Sequence, residues 1–342
     1  MRVATAPGPT GADGPPAVRA AGTGVVRRAA SGGVDPGTCR VVDRIREVAS
    51  LADRARRADR TVGFVPTMGA LHEGHRSLIA RAAAECDLVV VSVFVNPLQF
   101  GDPDDIARYP RTLEDDIALA AGAGAGVVFA PPVREMYPGF PAPVATSVSV
   151  AGVSDRWEGA SRPGHFDGMA TVVAKLFAVV GRCRAYFGEK DFQQLAVVRR
   201  MVADLSLPVE VVGCATVREP DGLARSSRNV RLSAEERRAA AVLWRSLRAG
   251  AETIAWGEYR TEVVESRMAR EVAGEPLVAL DYAVVVDADD LEPADSVRPG
   301  PGLRLLIAAR VGPVRLIDNL DPGDLPGGDT APGDGATVKG TR

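Results

Sequence analysis

The chain has 342 residues, 46% hydrophobic and 25% charged, and is long enough for a large core and for two domains. Its formal net charge of −3 at pH 7 gives no overall attraction to nucleic acid or to an anionic membrane, so an anionic ligand needs a local site. The four cysteines are scattered without a CxxC spacing, which argues against a zinc knuckle and a disulfide-dense scaffold. We therefore expect reduced thiols in a cytoplasmic protein.

Both ends of the chain have a composition that does not support folding. Residues 1–38 are rich in glycine and proline and contain few large apolar side chains, so burial cannot offset the entropy lost on ordering. Residues 321–342 have the same character. We expect a disordered leader and a disordered tail. The sequence contains no apolar run of ~20 residues, which argues against a membrane span.

Between residues 39 and 215, short β-branched runs alternate with amphipathic segments. The pattern predicts helices at 41–58, 75–85, 113–124, 169–181 and 191–205. It predicts strands at 61–66, 88–97, 127–131, 184–189 and 208–214. Nearly continuous apolar strands separated by helices are typical of a parallel sheet that is covered on both faces. The fold class predicted for this region is therefore α/β, with a Rossmann-like, doubly wound parallel sheet.

From residue 216 to 320 the pattern predicts a second, smaller α+β domain. It begins with a hairpin around Pro220-Asp221-Gly222. Ser233 and Glu236 then form a capping box, which opens a long helix over 233–256. The remaining predicted elements are a helix at 259–273, a strand at 280–288 and a hairpin at 303–320.

The segment FVPTMGALHEGH, residues 64–75, lies where a predicted strand passes into a helix. Two of the three histidines, His72 and His75, are here together with Gly69 and Gly74. Glycines let the backbone approach a ligand, and a helix N-terminus offers free N–H groups, so this junction suits a phosphate. The histidines can donate hydrogen bonds to a polyphosphate during phosphoryl or nucleotidyl transfer. The alternative is a helix start with incidental histidines, which is the better interpretation of an isolated H-x-x-H.

Two further motifs follow other predicted strands, VFVNPLQFG at 93–101 and YFGEKD at 186–191. In a parallel sheet the carboxyl ends of the strands meet at one edge, where ligands bind. The convergence of these junctions with the histidine segment favours a binding site over incidental histidines.

In its full form, PTMGALHEGH at 66–75 resembles the nucleotide-binding signature of the pantoate–β-alanine ligase (pantothenate synthetase) family, within the HIGH-type nucleotidyltransferases. The similarity continues in FVNPLQFG at 94–101, YPRTLEDD at 109–116, RPGHFDGMATVVAKLF at 162–177, YFGEKDFQQ at 186–194, SSRN at 226–229 and VVDADDLEP at 285–293. The resemblance spans residues 40 to 320 and leaves only the two ends outside.

The resemblance implies a reaction in two steps. ATP and pantoate would give pantoyl adenylate and pyrophosphate, and the amine of β-alanine would then displace AMP to give pantothenate. It also implies Mg²⁺ accompanying ATP and a homodimer. We expect neither nucleic acid nor a membrane as partner, given the net charge of −3 and the lack of a long apolar run. The C-terminal domain would act as a mobile lid.

Site residues are implied by the same motifs. The catalytic groups would be His72, His75 and Lys190, with His75 as the acid-type group beside the phosphates. Gln99 and Gln194 would bind pantoate or β-alanine, and neutral amides suit hydroxyl and carboxylate groups. ATP would be bound by Met68, Gly69, His72, His75, Gly188, Glu189, Lys190, Asp191, Val217, Arg225, Ser226, Ser227 and Arg228.

Several of these assignments have simpler alternatives. Either glutamine, taken alone, is more readily interpreted as an ordinary polar loop residue than as a substrate ligand. Lys190 and Asp191 could form an exposed ion pair. Asp115 and Asp116 resemble the magnesium-proximal acids of the family, but acids in the first turn of a helix are equally explained by the helix dipole.

Two other residues have open roles. His165, the third histidine, could contact substrate or cap its loop. Arg225 stands where the family usually has methionine, so a flexible apolar contact is replaced by a cation.

Two other functions remain open. One is a different HIGH-type adenylyltransferase or a relative of class I tRNA ligases, although a tRNA partner would favour basic patches and a KMSKS-like loop in place of SSRN. The other is a non-catalytic nucleotide-binding homologue, in which we would expect His72, His75, Lys190 or Arg228 to be lost.

Overall fold

The computed structural model describes residues 39–101, 103–297 and 302–324. The disorder expected for residues 1–38 and for 325–342 lies outside the described residues, while Pro322–Asp324 forms a short 3-10 turn. Within the described part of the chain, no helix has both the length and the apolar character that crossing a membrane requires.

Six parallel strands form the larger sheet, which confirms the predicted fold class. The strands are β1 Arg40–Val42, β2 Val62–Thr67, β3 Leu88–Val93, β4 Val127–Phe129, β5 Cys183–Gly188 and β6 Val209–Cys214. They lie in the order β1-β4-β3-β2-β5-β6, and every pairing between neighbours is parallel. Phe64, Val65 and Val90 are 0% exposed because the central strands are covered on both faces.

Helices connect these strands and cover the sheet. They are α1 Ile45–Arg57, α2 Glu73–Glu85, α3 Pro103–Arg108, α4 Leu113–Gly122, α5 Val133–Met136, α6 Glu158–Ser161, α7 His165–Val180 and α8 Phe192–Asp204. The long α7 packs on one face, where the Phe177 ring meets the Phe64 ring edge-on with centroids 6.2 Å apart. The opposite face is covered by α2, whose Ile79 is fully buried.

The first predicted helix is wrong at its start. Residues 41–58 were expected to be helical, but Val41 and Val42 belong to β1, which pairs with Val128 and Phe129 of β4. The helix begins only at Ile45. This short segment is a strand because it pairs with β4, which lies far along the chain. The local sequence pattern does not indicate that pairing.

The C-terminal part of the described chain forms a separate antiparallel sheet with its own core. Its strands, in the order β7-β8-β9, are β7 Val278–Asp287, β8 Leu303–Val311 and β9 Val314–Leu320. Three helices pack here, α9 Ala234–Ala239, α10 Val242–Ala255 and α11 Thr261–Ala273. Leu243, Met268 and Leu305 are fully buried in this core. The predicted smaller α+β part is confirmed.

The predicted capping box is present, but the single helix over 233–256 is not. Ser233 Oγ accepts from the Glu236 N–H at 3.2 Å, and Glu236 Oε2 accepts from the Ser233 N–H at 2.8 Å. The helix is interrupted at Ala240 and Ala241, which are 0% and 5% exposed. Both residues keep right-handed helical backbone angles, and α9 is separated from α10 by i→i−3 hydrogen bonds from the Ala241 N–H to the Arg238 carbonyl and from the Leu243 N–H to the Ala240 carbonyl.

Candidate active site

A cavity of about 630 Å³ opens at the carboxyl ends of the parallel strands. Its wall includes Thr67 at the end of β2, Phe94 after β3 and Gly188 at the end of β5. This volume falls within the ~300–1,000 Å³ usual for small-molecule sites, and this edge is where α/β sheets bind ligands. The wall contains most of the predicted site residues: Met68, His72, His75, Gln99, Gly188, Lys190, Asp191, Gln194, Val217, Arg225, Ser226, Ser227 and Arg228.

The loop after β2 is held by a buried carboxylate. Asp116 Oδ1 accepts a 2.7 Å hydrogen bond from the Leu71 N–H, and Asp116 Oδ2 accepts a 3.1 Å bond from the Ala70 N–H. Gly69 has a φ of +88°, and a Cβ at this position would lie 2.9 Å from Asp116 Oδ2. Glycine is therefore required here for both its conformation and its size. Gly69 therefore packs against Asp116 and does not line the cavity.

His72 and His75 cap the first turn of α2. Nδ1 of His72 accepts from the Gly74 N–H at 3.1 Å, and Nδ1 of His75 accepts from the backbone N–H of His72 at 3.3 Å. The arrangement is a capping box in which histidines take the usual places of serine and glutamate. Because each Nδ1 accepts, a neutral ring carries its proton on Nε2. Each ring therefore keeps one Nε2–H donor for a ligand.

The surroundings keep these rings neutral. Burial, followed by the neighbouring His72, lowers the pKa of His75 to about 3. Burial, followed by the charge of Lys190, also lowers the pKa of His72. At pH 7 the pair therefore offers two hydrogen-bond donors rather than two positive charges. The two ring centroids are 4.2 Å apart, so one phosphate chain can contact both.

Lys190 lies in the turn between β5 and α8. Its Nζ donates to Asp191 Oδ1 at 3.1 Å, and its side chain is only 16% exposed. Both residues line the cavity, and the Asp191 side chain, 48% exposed, is open to it. The preceding Glu189 turns away from the cavity, and its Oε2 accepts from Arg304 Nη2 at 3.2 Å. Glu189 thus fixes the turn and does not line the wall.

The predicted hairpin is present, with an antiparallel bridge between Arg218 and Ala224. Arg218 fastens it to the C-terminal part through a 2.6 Å bond to Asp318 Oδ2. The Arg218 guanidinium also lies 3.9 Å from the centroid of the Trp244 ring. Gly222, at the tip, has a φ of +91° and no room for a side chain beside Trp244. These contacts set the position of the cavity residues that follow the hairpin, Arg225, Ser226, Ser227 and Arg228.

Arg225 forms an ion pair within this hairpin. Its Nη2 donates to Glu219 Oε2 at 3.2 Å. Its Nε is buried and has no hydrogen-bond partner among the residues that the structure describes. The cation at this position is therefore only partly satisfied by the protein.

Gln99 is oriented by a residue that the sequence did not single out. Asn96 Nδ2 donates to Gln99 Oε1 at 3.1 Å and to the Gly168 carbonyl at 3.0 Å. Asn96 Oδ1 accepts from the Tyr137 hydroxyl at 2.9 Å. Since the oxygen of Gln99 is occupied, its Nε2 is the group left to donate. Asn96 lies three residues before Gln99 in the FVNPLQFG motif, which was the available signal.

The predicted metal ligands do not form a metal site by themselves. Asp116 is 2% exposed, and both its oxygens accept backbone N–H groups of the loop. Asp115 is exposed and does not line the cavity. Across the described ranges, no group of three or more His, Cys, Asp or Glu side chains is placed to hold an ion.

The cavity wall is strongly cationic although the chain is slightly acidic. Its basic residues are Arg108, Arg162, Lys190, Arg225, Arg228 and Arg231, against the acidic Glu158 and Asp191. The sequence analysis did not assign Arg108, Glu158, Arg162 or Arg231. Motifs containing Arg162 and Arg228 were recognised, but only the structure brings them to one cavity. This local excess of positive charge supplies the attraction for anions that the net charge of −3 does not.

Comparisons with known proteins agree with this geometry. The family model described as pantoate–beta-alanine ligase matches residues 40–321. A pantothenate synthetase of Rubrobacter xylanophilus is 53% identical over 278 residues, covering 80% of this chain and 95% of that protein. A pantothenate synthetase of Cereibacter sphaeroides is 55% identical over 281 residues, covering 81% and 98%.

Solved structures give the same result. Pantothenate synthetase from Thermus thermophilus has a TM-score of 0.76 and 49% identity, covering 83% of this chain and 99% of that one. Pantoate–beta-alanine ligase from Francisella tularensis, complexed with beta-gamma ATP and beta-alanine, has a TM-score of 0.68 and 32% identity, covering 85% and 100%. The match spans the motifs that form the cavity, and this chain belongs to the pantoate–β-alanine ligase family.

Proposed function

We propose that this ligase joins pantoate to β-alanine through a pantoyl adenylate. In the first step, a carboxylate oxygen of pantoate bonds to the α-phosphorus of ATP, and the bond from that phosphorus to pyrophosphate breaks. In the second step, the amine nitrogen of β-alanine bonds to the acyl carbon, AMP leaves with the electron pair, and the nitrogen loses a proton. The observation that carries this proposal is that neutral hydrogen-bond donors, cations and side-chain amides line the same cavity.

The first step needs groups that stabilise charge on the phosphates. His72 and His75 offer neutral Nε2–H donors, and Lys190 adds a positive charge near them, as its effect on the pKa of His72 shows. Donors fixed in advance stabilise developing charge without reorganising, which is the largest contribution in many enzymes. We propose that these three residues bind the phosphates and that Arg228, with Ser226 and Ser227, binds them from the opposite wall.

The acid substrate needs neutral partners near the α-phosphorus. Gln99 is held by Asn96 so that its Nε2 donates, and Gln194 lines the same cavity. An amide donor binds a carboxylate or hydroxyl without holding the carboxylate in an ion pair, so the oxygen stays nucleophilic. We propose that Gln99 and Gln194 bind pantoate and that Met68, which lines the same cavity, belongs to the ATP site.

Mg²⁺ fits this cavity only as a companion of ATP. The two carboxylates of the cavity wall are already engaged, since Glu158 pairs with Arg315 and Asp191 pairs with Lys190; Asp116, outside the wall, holds a loop. These residues do not fit a resident ion. Mg²⁺ commonly keeps several waters and binds substrate phosphates with one or two carboxylates at most. We therefore propose that the substrate is MgATP, and no step of the reaction depends on a protein-bound ion.

The remaining proposals concern organisation. We place the domain boundary at 215/216, because the hairpin that follows is fastened to the C-terminal part by Arg218 and would move with it as a lid. Cytoplasmic location is supported by the free thiols of Cys39, Cys86, Cys183 and Cys214. A homodimer is supported by family membership and by the exposed edge strand β1, whose Val41 is 41% exposed.

Pyrophosphate exchange tests the proposed function. The protein with Mg²⁺ should exchange labelled pyrophosphate into ATP when pantoate is present, and β-alanine should not be required. His75→Ala and Lys190→Ala should each slow the exchange by ~10²–10³-fold, since each removes one preorganised group. Exchange that depends on an amino acid instead of pantoate would indicate a tRNA-ligase relative. ATP binding without exchange for any acid would indicate a non-catalytic homologue.

A further inference from the structure

Glu158 is a buried acidic residue of the cavity wall and the first residue of α6. Arg162, which also lines the cavity, follows directly after this helix, four positions along the chain. Side chains four positions apart on a helix are neighbours, and a glutamate that precedes an arginine at this spacing commonly forms an ion pair with it. The spacing in the sequence therefore favours a pair between Glu158 and Arg162.

The folded protein pairs Glu158 with other residues. Oε2 of Glu158 accepts from Arg315 Nη1 at 2.7 Å, and Oε1 accepts from the Tyr282 hydroxyl at 3.0 Å. Both partners belong to the antiparallel sheet, Arg315 to β9 and Tyr282 to β7, and neither lines the cavity. Two groups from outside the cavity wall therefore occupy both oxygens of this carboxylate.

Arg162 contacts a neutral group instead. Its Nη1 lies 3.0 Å from Nε2 of His165, whose Nδ1 lies 3.0 Å from the carbonyl oxygen of Gln99. A carbonyl oxygen can only accept, so Nδ1 of His165 carries the proton and Nε2 accepts from Arg162. Burial, followed by the charge of Arg162, lowers the pKa of His165 to about 4, so the ring is neutral at pH 7. This contact leaves the positive charge of Arg162 in place.

The charge of Glu158 still acts on Arg162. Burial and then the charge of Arg228 lower the pKa of Arg162, whereas the charge of Glu158 acts in the opposite direction. Glu158 is therefore near this guanidinium although it is paired elsewhere. A buried carboxylate without a partner is costly, so Glu158 would need a new cation if Arg315 were removed. Arg162 is the nearby cation with which its spacing on the helix is compatible.

The backbone of Glu158 is fixed independently of Arg315. The Glu158 N–H donates to Gln193 Oε1 at 3.0 Å, and Nε1 of the preceding Trp157 donates to the Leu291 carbonyl at 2.9 Å. Loss of the Arg315 side chain would therefore release the carboxylate and leave its backbone in place.

We propose that Arg315, assisted by Tyr282, is a positioning residue that holds the Glu158 carboxylate away from Arg162 and thereby keeps the cavity wall cationic; this inference rests on the proposed function. Both substrates of the first step, ATP and pantoate, are anions. An ion pair between Glu158 and Arg162 would cancel one positive charge of the wall and weaken the attraction for both substrates. The antiparallel sheet thus controls the charge of the cavity through a residue that does not line it.

Two measurements on the full-length protein test this role, the binding of MgATP without turnover and pantoate-dependent pyrophosphate exchange. In Arg315→Gln, we expect the Kd for MgATP and the KM for pantoate each to rise roughly 10-fold, as expected for the loss of one interaction with a charged group. A crystal structure of this variant should show a carboxylate oxygen of Glu158 within ~4 Å of a guanidinium nitrogen of Arg162.

The Glu158→Gln background separates this role from a merely structural one. Its amide has no charge that could cancel Arg162, so adding Arg315→Gln to it should change the Kd and the KM little. A structural role of Arg315 would give the same loss in both backgrounds. Tyr282→Phe removes one of the two hydrogen bonds to Glu158 and should give a smaller loss, which also disappears in the Glu158→Gln background. This variant serves if Arg315→Gln does not fold.

Arg310→Gln is the matched control, because Arg310 is exposed on β8 directly opposite Arg315, and it should leave both constants unchanged. Equal losses in the two backgrounds would overturn the proposal, as would unchanged constants in folded Arg315→Gln. Failure of the proposed function has a different signature, since pantoate would then support no exchange even in the unaltered protein. In that case the Kd for MgATP still decides the role of Arg315.

Discussion

The side chain of Asn319 holds the backbone of Lys190. Nδ2 of Asn319, on β9, donates a 2.8 Å hydrogen bond to the Lys190 carbonyl and a second of 2.8 Å to the Glu189 carbonyl. Its Oδ1 accepts from Arg304 Nε at 2.8 Å, and Asn319 is 3% exposed. The antiparallel sheet thus fixes the turn that presents a proposed phosphate-binding lysine.

Asn319→Asp tests this relationship with little change in size. The carboxylate cannot donate, so its oxygens would face the two carbonyls, and we expect the free energy of unfolding to fall by about 1–3 kcal/mol. The KM for ATP should rise because Lys190 loses its support. Urea unfolding and steady-state kinetics measure the two effects. Asp324→Asn, at an exposed position nearby, is the control, and equal behaviour of both variants would contradict the positioning role.

Asp116→Asn should loosen the loop that carries Met68. An amide can accept from only one of the two N–H groups, of Ala70 and Leu71, and opposes the other with its own donor. We expect the free energy of unfolding to fall by about 1–3 kcal/mol and exchange activity to drop.

Asp115→Asn is the matched control, because this side chain is exposed on the same helix turn. It should leave stability and activity nearly unchanged. If Asp115→Asn instead raises the Mg²⁺ concentration needed for half-maximal exchange, Asp115 helps to bind the ion after all.

The histidines predict how stability depends on pH. In the folded protein the pKa is about 3 for His75 and about 4 for His165, both below the value of ~6.5 in an unfolded chain. Between these values the unfolded chain binds protons that the folded protein does not. The contribution of these two histidines to the free energy of unfolding is therefore fully present above pH ~6.5. It decreases as the pH falls toward 5.

His75→Asn isolates one contribution, because the asparagine Oδ1 can replace Nδ1 as acceptor for the cap. Urea unfolding between pH 7 and 5 should show a slope smaller by up to ~1.4 kcal/mol per pH unit than in the unaltered protein. Arg76→Gln, at the next position, should keep the original slope. A slope for His75→Asn that matches the original would mean that His75 is not held neutral.

Arg225→Met should be tolerated and should tighten ATP binding. The change removes a buried Nε without a partner in the described structure and introduces the methionine that the family resemblance implies at this position. Glu219→Gln is the comparison, since it leaves Arg225 without its ion pair and should weaken the hairpin. ATP affinity and thermal unfolding measure both variants. A folded Arg225→Met protein with little activity would show that Arg225 binds phosphate.

The fold and much of the candidate site were predictable because their signals are local. Apolar periodicity marked the central strands and the helices that cover them, and strand-to-helix junctions marked the edge where ligands bind. The motifs with His72, Lys190 and Arg228 lie at such junctions or follow a predicted hairpin, and all three residues line one cavity. The errors occurred where the signal is not local, as in β1, whose three residues are strand only because β4 lies beside them.

The sequence by itself determined the alternation of the central strands and their covering helices, the family and the residue types at each junction, because these depend on periodicity and on motifs within short stretches. Only the tertiary structure decided which polar groups pair. Asp116 accepts from Leu71, 45 residues earlier, and Asn319 supports Lys190, 129 residues earlier. Arg162 Nη1 lies 3.0 Å from Nε2 of His165, whose pKa is lowered by burial and which is therefore neutral at pH 7. Such pairings depend on distances across the folded molecule, and a polar side chain carries no local sign of the partner that will satisfy it.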